Sequence, residues 1–211
     1  MKTYLFDFDG TLVDSMPTYA QVMRRILNEY GAVYTDDIFK IITPLGYGGT
    51  AEYFIEMGIN ETKEALVEKM QRYATEEYSY RIPEKEGVTQ SLRELKKSGA
   101  SLNVLTASPH TALDPCLKRL GVWELFDNVW SCEDFGTTKA DTKIYEMAAE
   151  KMGLSVSEVI FVDDNVNAVK TAKAAGMISY GIYDDSSSEY IDEMREISDR
   201  YVMKFEELCR A

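Results

Sequence analysis

Five apolar runs that each stop at polar residues constrain this chain most, because helical stretches separate them. The runs are TYLFDFD, SLNVLTAS, NVWSC, EVIFVDD and MISYGIYDD, and the stretches between the later runs have helical periodicity and stop at a glycine. Strands that alternate with helices pair in parallel, since each helical crossover returns the chain to the same end of the sheet. The pattern therefore predicts an α/β fold with a parallel sheet and helices on both of its faces.

A helical segment interrupts this pattern between residues 15 and 86. Its four helical stretches have no convincing strand between them: SMPTYAQVMRRILNEYG, TDDIFKII, TAEYFIEMG and ETKEALVEKMQRYATEEYSY. The two joins contain Pro17 and Pro83, which suit a hinge. We expect an α/β core from residues 1–14 and 87–211, with a small all-helical domain, residues 15–86, inserted after the first strand.

Composition and charge exclude several classes of function. The chain has 211 residues, of which 45% are hydrophobic, so it is long enough to bury a substantial core. Its 36 acidic and 23 basic residues give a net charge of −13, which argues against binding to nucleic acid or to an anionic membrane. A phosphorylated ligand would therefore need a local site with its own cation or amide cluster.

The cysteines and the N-terminus indicate a reducing compartment. Cys116, Cys132 and Cys209 are odd in number and widely spaced, so they form neither a disulfide framework nor a metal motif. The apolar run before Asp7 is too short for a signal peptide, and no later run approaches a membrane-spanning length. We expect reduced thiols and a cytoplasmic protein.

Three of the predicted strands end in residues that suit one polar site. Asp7 and Asp9 follow the first run, Thr106 ends the second, and the fourth ends in Asp163 and Asp164. Taken singly, each of these residues has a local explanation as a turn or helix-cap residue. The carboxyl ends of parallel strands meet at one edge of the sheet, so we expect these side chains to converge there.

The motifs at these positions resemble those of a known superfamily. DFDGTLVDS, VLTAS, KADTKIY and FVDD, in this order, are similar to the four motifs of the haloacid dehalogenase-like (HAD) superfamily. The resemblance is to its phosphatase branch, near phosphoglycolate phosphatase and β-phosphoglucomutase. It implies a Rossmann-like core and identifies the helical insert as a cap of the C1 type.

The resemblance also implies roles for individual residues. Asp7 would attack phosphorus and carry the phosphoryl group as an aspartyl-phosphate, while Asp9 would serve as general acid and then as general base. Thr106 corresponds to the hydroxyl of the second motif and Lys139 to the lysine of the third. The residues implied to contact the substrate phosphate are Phe8, Gly10, Thr106, Ala107 and Lys139.

A divalent cation is the cofactor that the resemblance implies. Carboxylates that face a phosphate dianion would repel it, and Mg2+ prefers such oxygen ligands. The implied ligands are the Asp7 carboxylate, the backbone carbonyl of Asp9 and Asp164, with Asp163 helping directly or through water. The chain departs from the usual third motif at Ala140 and Thr142, which affects the shape of that loop. It departs from the fourth motif in NVNAV, which lacks the later acidic residue that could serve as a further metal ligand. We expect metal binding to survive, because Asp163 and Asp164 are both acidic.

Individual residues help to choose among the functions found in the superfamily. Dehalogenases and phosphonatases lack the second aspartate, and this chain retains Asp9. A sugar-phosphate mutase of the β-phosphoglucomutase kind is the nearest rival, but the only histidine, His110, follows the second motif, and the helical insert has none. A catalytically silent binding protein remains a third alternative, which the intact motif residues oppose.

We therefore predict a magnesium-dependent phosphatase that hydrolyses a small phosphate monoester. Its partner would be a small phosphorylated metabolite, with no nucleic acid and no membrane, and the protein would be a monomer or a weak homodimer. The sequence leaves phosphoglycolate, small sugar phosphates and nucleotides open as substrates. We expect the cap to move as a lid and to select among them.

Overall fold

A parallel sheet of six strands forms the centre of the core. The structure is a computed structural model that describes residues 2–210. The strands are β1 (Thr3–Phe6), β2 (Ser101–Thr106), β3 (Asn128–Ser131), β4 (Val159–Asp163), β5 (Ile178–Ile182) and β6 (Arg200–Val202). They pair in parallel in the order β3-β2-β1-β4-β5-β6. The predicted α/β fold is confirmed, and β6 is an addition that the sequence pattern missed.

The central strands are continuous apolar runs because both of their faces are covered. Every residue of β1 and β4 is buried, and so are five of the six residues of β2. Strands buried on both faces lack the polar alternation of a half-exposed strand. The short β6 has no such run, since two of its three residues are partly exposed.

Five helices connect the strands of the core. They are α5 (Val88–Lys97), α6 (His110–Arg119), α7 (Thr142–Lys151), α8 (Val166–Ala175) and α9 (Ile191–Ile197). The predicted stops at Gly99, Gly121 and Gly153 correspond to helices that end two residues earlier. One side of the sheet packs against α7 and α8 through a cluster that includes Leu5 and Phe161.

The chain divides into two compact units, Met1–Asp14 with Pro83–Ala211, and Ser15–Ile82. The second unit consists of α1 (Met16–Glu29), α2 (Ile38–Ile42), α3 (Gly46–Glu56) and α4 (Lys63–Tyr80). It has an apolar core of its own, in which Met23, Phe54 and Met70 are fully buried. Within residues 2–210, no helix combines the length and apolarity that crossing a membrane requires.

Candidate active site

The polar residues at the strand ends converge where the strand order reverses. Register pairs Phe6 of β1 with Val104 of β2 on one side and with Val162 of β4 on the other. The chain leaves β1 between two strands whose crossovers run in opposite directions, which is where open α/β sheets bind ligands. The backbone amide of Asp7 donates to Val162 O over 2.9 Å, so the first carboxylate is held by the sheet itself.

Three carboxylates form a buried cluster at this edge. Asp7, Asp163 and Asp164 each offer an oxygen, and these oxygens lie within 4.8 Å of one another. Their exposed fractions are 5%, 0% and 5%. Three like charges in so little solvent are unfavourable unless a cation accompanies them.

Lys139 is the cation that the chain itself supplies to this cluster. Its Nζ lies 2.7 Å from Asp7 Oδ1 and 2.8 Å from Asp163 Oδ2. Burial disfavours the charged ammonium, but the charges of Asp163 and Asp7 outweigh this and hold the pKa of Lys139 well above its usual value. The Tyr145 hydroxyl donates to the Lys139 carbonyl over 3.0 Å and so fixes the backbone from which the lysine extends.

One positive charge does not balance the three carboxylates. Burial and then the charge of Asp163 raise the pKa of Asp7 well above its usual value, although Lys139 opposes the shift. Burial and the same neighbour raise the pKa of Asp164 to about 7. Burial and the neighbouring negative charge both disfavour the ionised carboxylates, and a divalent cation bound among them would favour the ionised forms.

The cluster has the oxygen ligands that a small divalent cation needs, and the turn at Gly10 leaves room for the carboxylate of one of them, Asp164. Asp7 Oδ1 is buried, and the Lys139 ammonium lies 2.7 Å from it. Gly10 has φ +76°, and a Cβ there would lie 2.6 Å from both oxygens of Asp164. The hard oxygen ligands and the absent side chain fit a cation such as Mg2+.

Asp9 and Thr106 face a different set of groups. Asp9 is half-buried and accepts a hydrogen bond at Oδ2 from the Ser108 hydroxyl. The Ser108 amide donates to Thr106 Oγ1 over 3.0 Å, while Thr106 is only 1% exposed. The Thr106 hydroxyl therefore accepts from its own loop and keeps its proton for another acceptor.

The remaining residues expected to contact phosphate have distinct positions. The Phe8 side chain is fully buried, and its carbonyl accepts from the amides of Leu12 and Val13. The Gly10 amide donates to Val13 O over 2.9 Å, whereas Ala107 is exposed at the end of β2. Ala107 is therefore accessible at this edge of the sheet, whereas Phe8 and Gly10 form hydrogen bonds within the turn that follows β1.

Sequence reasoning missed two supports of the acidic cluster. The buried Thr11 hydroxyl donates to Asp164 Oδ1 over 3.0 Å. Lys85 Nζ donates to Gly10 O and Tyr183 O over 2.7 Å and to Asp184 Oδ2 over 2.8 Å. The sequence could have indicated Asp184 as a further acidic residue at this edge, because MISYGIYDD ends in two aspartates as EVIFVDD does.

His110 connects two loops at the same edge of the sheet. Its Nδ1 lies 2.7 Å from Asp114 Oδ1 in the first turns of α6, and its Nε2 lies 2.9 Å from Asp134 Oδ2 after β3. Asp134 also accepts the Ser131 amide over 2.9 Å. Hydrogen bonds to the carboxylates of Asp114 and then Asp134 favour the protonated imidazole and raise the pKa of His110. The imidazole therefore acts as a clamp between the loops that follow β2 and β3.

Comparisons with known proteins agree with this architecture. The chain is 28% identical over 180 residues to the phosphorylated carbohydrates phosphatase of Thermotoga maritima, which covers 84% of this chain and 82% of that protein. It is 30% identical over 181 residues to the pyrophosphatase PpaX of Bacillus velezensis, with 84% and 81% covered. A crystal structure of a candidate β-phosphoglucomutase from Thermotoga maritima superposes with a TM-score of 0.85 at 25% identity and covers 99% of this chain and 97% of that one.

A family model matches most of the chain. The model for the haloacid dehalogenase-like hydrolases matches residues 4–182, which include all four motifs and the helical insert. The match confirms the resemblance predicted from DFDGTLVDS and the three later motifs. This protein is an enzyme that belongs to the haloacid dehalogenase-like hydrolase family.

Proposed function

We propose that this protein is a magnesium-dependent phosphatase that hydrolyses a small phosphate monoester through an aspartyl-phosphate on Asp7. The observation that carries the proposal is the buried cluster in which Lys139 contacts Asp7 and Asp163, with Asp164 beside them. A nucleophile, a cation and metal-ligating oxygens lie together there. Phosphoryl transfer needs these three components.

The proposed Mg2+ ligands are the Asp7 carboxylate, the Asp9 backbone carbonyl and Asp164, with Asp163 beside them. When bound, the cation would neutralise charge on the phosphate oxygens and on the carboxylates. Both Asp163 oxygens already accept hydrogen bonds, one from Lys139 and one from the Asn165 amide over 2.7 Å. Asp163 therefore serves mainly to hold Lys139.

The first chemical step is attack of the Asp7 carboxylate on phosphorus. An Asp7–phosphorus bond forms while the bond from phosphorus to the ester oxygen breaks, and Asp9 gives its proton to the departing alcohol. Lys139 lies beside Asp7 and stabilises negative charge on the transferring group. The Thr106 hydroxyl donates its remaining proton to a phosphate oxygen, and the exposed Ala107 offers its amide.

The second step returns the enzyme to its starting state. A water molecule attacks the phosphorus of the aspartyl-phosphate and gives its proton to Asp9. The Asp7–phosphorus bond breaks, and inorganic phosphate leaves. Asp9 must accept and release a proton in one cycle, which agrees with its position in a half-exposed site rather than in the buried cluster.

The substrate is a small phosphorylated metabolite. Of the two relatives described above, one is named as a phosphatase of phosphorylated carbohydrates and the other as a pyrophosphatase. The solved structure of a candidate β-phosphoglucomutase supports a mutase as the second candidate. We prefer hydrolysis because the one histidine, His110, is engaged by Asp114 and Asp134 in the core.

A screen of phosphate esters tests the proposal. We expect the purified protein to release phosphate from at least one small monoester with Mg2+ and to lose this activity in excess chelator. Asp7→Asn should abolish turnover. It should also abolish the acid-stable label that an ester with a radioactive phosphoryl group leaves on the enzyme. Asp127→Asn is the matched control, because Asp127 caps the opposite end of β2 by accepting the Leu102 amide.

Two outcomes would contradict the mechanism. Full activity in excess chelator would exclude the metal, and a phosphate label on Asp7→Asn would exclude Asp7 as the nucleophile. Release of an isomeric sugar phosphate in place of inorganic phosphate would favour the mutase. The cytoplasmic location and the monomer or weak homodimer stay predictions, which cell fractionation and light scattering can check.

A further inference from the structure

Ser108 joins the loop after β2 to the aspartate that follows β1. Its hydroxyl donates to Asp9 Oδ2, although the two residues are 99 positions apart in the chain. Both side chains are half-buried, so water competes only partly for this hydrogen bond. The contact spans two adjacent parallel strands at the edge where the acidic cluster lies.

The backbone on the Ser108 side of this contact is fixed on both flanks. The Ser108 amide donates to Thr106 Oγ1, and the adjoining helix begins at His110, which Asp114 and Asp134 hold. The N-cap of that helix is Pro109, and it makes no side-chain capping bond. The Ser108 hydroxyl is therefore not needed to cap the helix, and its direction toward Asp9 is set by the loop.

The backbone on the Asp9 side is fixed as well. Gly10 takes a left-handed conformation with φ +76°, and its amide donates to Val13 O. The Phe8 carbonyl accepts from the amides of Leu12 and Val13, which closes the turn around Asp9. Because both backbones are held, the hydrogen bond between the side chains restricts the rotation of the Asp9 carboxylate.

We propose that Ser108 is a positioning residue for Asp9, whose carboxyl group its hydroxyl orients toward the ester oxygen of the substrate. This inference rests on the proposed function, in which Asp9 alternates between carboxylate and carboxylic acid. A serine hydroxyl suits such a partner, since it donates to the carboxylate and can accept from the acid. An alanine can do neither, whereas a threonine can do both.

If Ser108 positions Asp9, its loss should affect alkyl and aryl esters differently, whereas the loss of a purely structural serine would affect both alike. Proton donation matters most when the leaving group is a poor one, so an alkyl ester depends on Asp9 in the first step and an aryl ester such as p-nitrophenyl phosphate hardly does. Both esters depend on Asp9 when water attacks the aspartyl-phosphate. Rapid-quench kinetics separate the first step, seen as a burst of p-nitrophenol, from the steady state.

The experiment compares Ser108→Ala and Ser108→Thr with the parent enzyme and with Asp9→Asn. Ser155→Ala is the matched control, because the Ser155 hydroxyl also donates to a carboxylate, that of Glu158, but lies before the start of β4. We expect Ser108→Ala to lower kcat for the alkyl ester by about tenfold with KM unchanged, and to leave the p-nitrophenol burst rate within about twofold. Ser108→Thr should stay within about threefold of the parent in every measurement.

Each outcome decides for or against the role of Ser108. Slow alkyl turnover with a normal burst, at an unchanged melting temperature, supports it. An active Ser108→Ala that loses nothing, or that loses the burst and the alkyl turnover equally, overturns this inference and leaves the phosphatase standing. A parent enzyme that releases no phosphate from any ester overturns the proposed function, and this inference with it.

Discussion

Only one residue separates Asp7 from Asp9, and yet the two carboxylates lie in different electrostatic surroundings. Asp7 is 5% exposed and contacts Lys139, whereas Asp9 is half-buried and accepts from Ser108. β1 ends at Phe6 and the chain bends at Phe8, whose side chain is fully buried, while Asp7 and Asp9 lie on either side of it at the carboxyl edge of the sheet. These different surroundings suit the two different roles that we propose for the identical side chains, nucleophile for Asp7 and proton carrier for Asp9.

Gly10 provides a test of the proposed cation site that does not depend on activity. Gly10→Ala would place a Cβ 2.6 Å from the Asp164 oxygens, in a left-handed conformation that costs about 1–2 kcal/mol for a residue with a side chain. We expect the Mg2+ concentration that half-saturates thermal stabilisation to rise by about tenfold or more, because one ligand is displaced.

Gly31→Ala is the matched control for this test. Gly31 also has a left-handed conformation, with φ +64°, but nothing lies within 4 Å of its added Cβ. It should show the same conformational cost and an unchanged response to Mg2+. An equal response of the two variants to Mg2+ would mean that Asp164 is not a ligand.

At the scale of secondary-structure elements, the His110 clamp makes stability depend on pH. The pKa of His110 is raised in the folded protein, above about 6.5 for an unfolded chain. Its contribution to the free energy of unfolding is therefore fully present below about pH 6.5 and is lost as the pH rises through the raised value. The side chain is 37% exposed, so solvent screening limits the effect to about 1 kcal/mol or less.

Urea unfolding of the parent and of His110→Gln measures this effect. We expect the parent to exceed the variant in stability at pH 6 and the difference to shrink by pH 9. The chain has no other histidine, so none contributes to the difference in this range. A difference that is equal at both pH values would show that the clamp acts without its charge.

Lys85 ties the turn after β1 to the end of β5. The side chains of Lys85 and Asp184 in this ion pair are 18% and 5% exposed, and the Lys85 ammonium also donates hydrogen bonds to Gly10 O and Tyr183 O. Lys85→Met leaves Asp184 buried without its cation, so we expect the free energy of unfolding to fall by about 3 kcal/mol. Lys85→Met with Asp184→Asn should recover part of this loss, since the unpaired charge is gone.

Lys204→Met is the control, because Lys204 is 60% exposed and lies 3.9 Å from its nearest acidic partner, Glu86. We expect it to change stability by about 0.5 kcal/mol or less. Chemical denaturation of the four proteins gives the comparison. If Lys85→Met loses no more stability than Lys204→Met, the tie does not stabilise the fold.

At the scale of the whole molecule, the chain connects its two compact units at one place. Within the core, the Asp14 amide donates to Pro83 O and the Lys85 amide donates to Leu12 O, each over 3.0 Å. The chain thus departs and returns side by side, a few residues beyond Asp9. We propose that the helical unit selects the substrate, as expected for a cap over residues 15–86.

A chimaera tests this division of labour. Residues 15–82 would be replaced by the corresponding helical unit of a relative that prefers another ester, which leaves the paired joins intact. We expect the ester preference to follow the inserted unit, while the requirements for Mg2+ and Asp7 remain. A folded chimaera that keeps the parent's preference would place specificity in the core, around Thr106 to His110.

The sequence predicted the sheet and the acidic cluster because both have local signatures. Strands buried on both faces are continuous apolar runs, and aspartates at their ends mark the carboxyl edge of a parallel sheet. The ties between distant residues have no such signature. Lys85 with Gly10, Ser108 with Asp9, and Thr11 with Asp164 are 75, 99 and 153 positions apart, and only the packed sheet brings them together.

The position of β1 in the middle of the sheet has a consequence for synthesis on the ribosome. Its neighbours are β2, which begins at Ser101, and β4, which ends at Asp163. At roughly 5–20 residues per second, β1 is made about 8–31 s before its second neighbour is complete. Both edges of this apolar strand lack a partner until β2 has been made, and the edge that pairs with β4 lacks one until the end of that time. The helical unit, whose contacts are local, can already fold. The strand that leads to Asp7 is therefore completed as part of the sheet only after the chain has been made to residue 163.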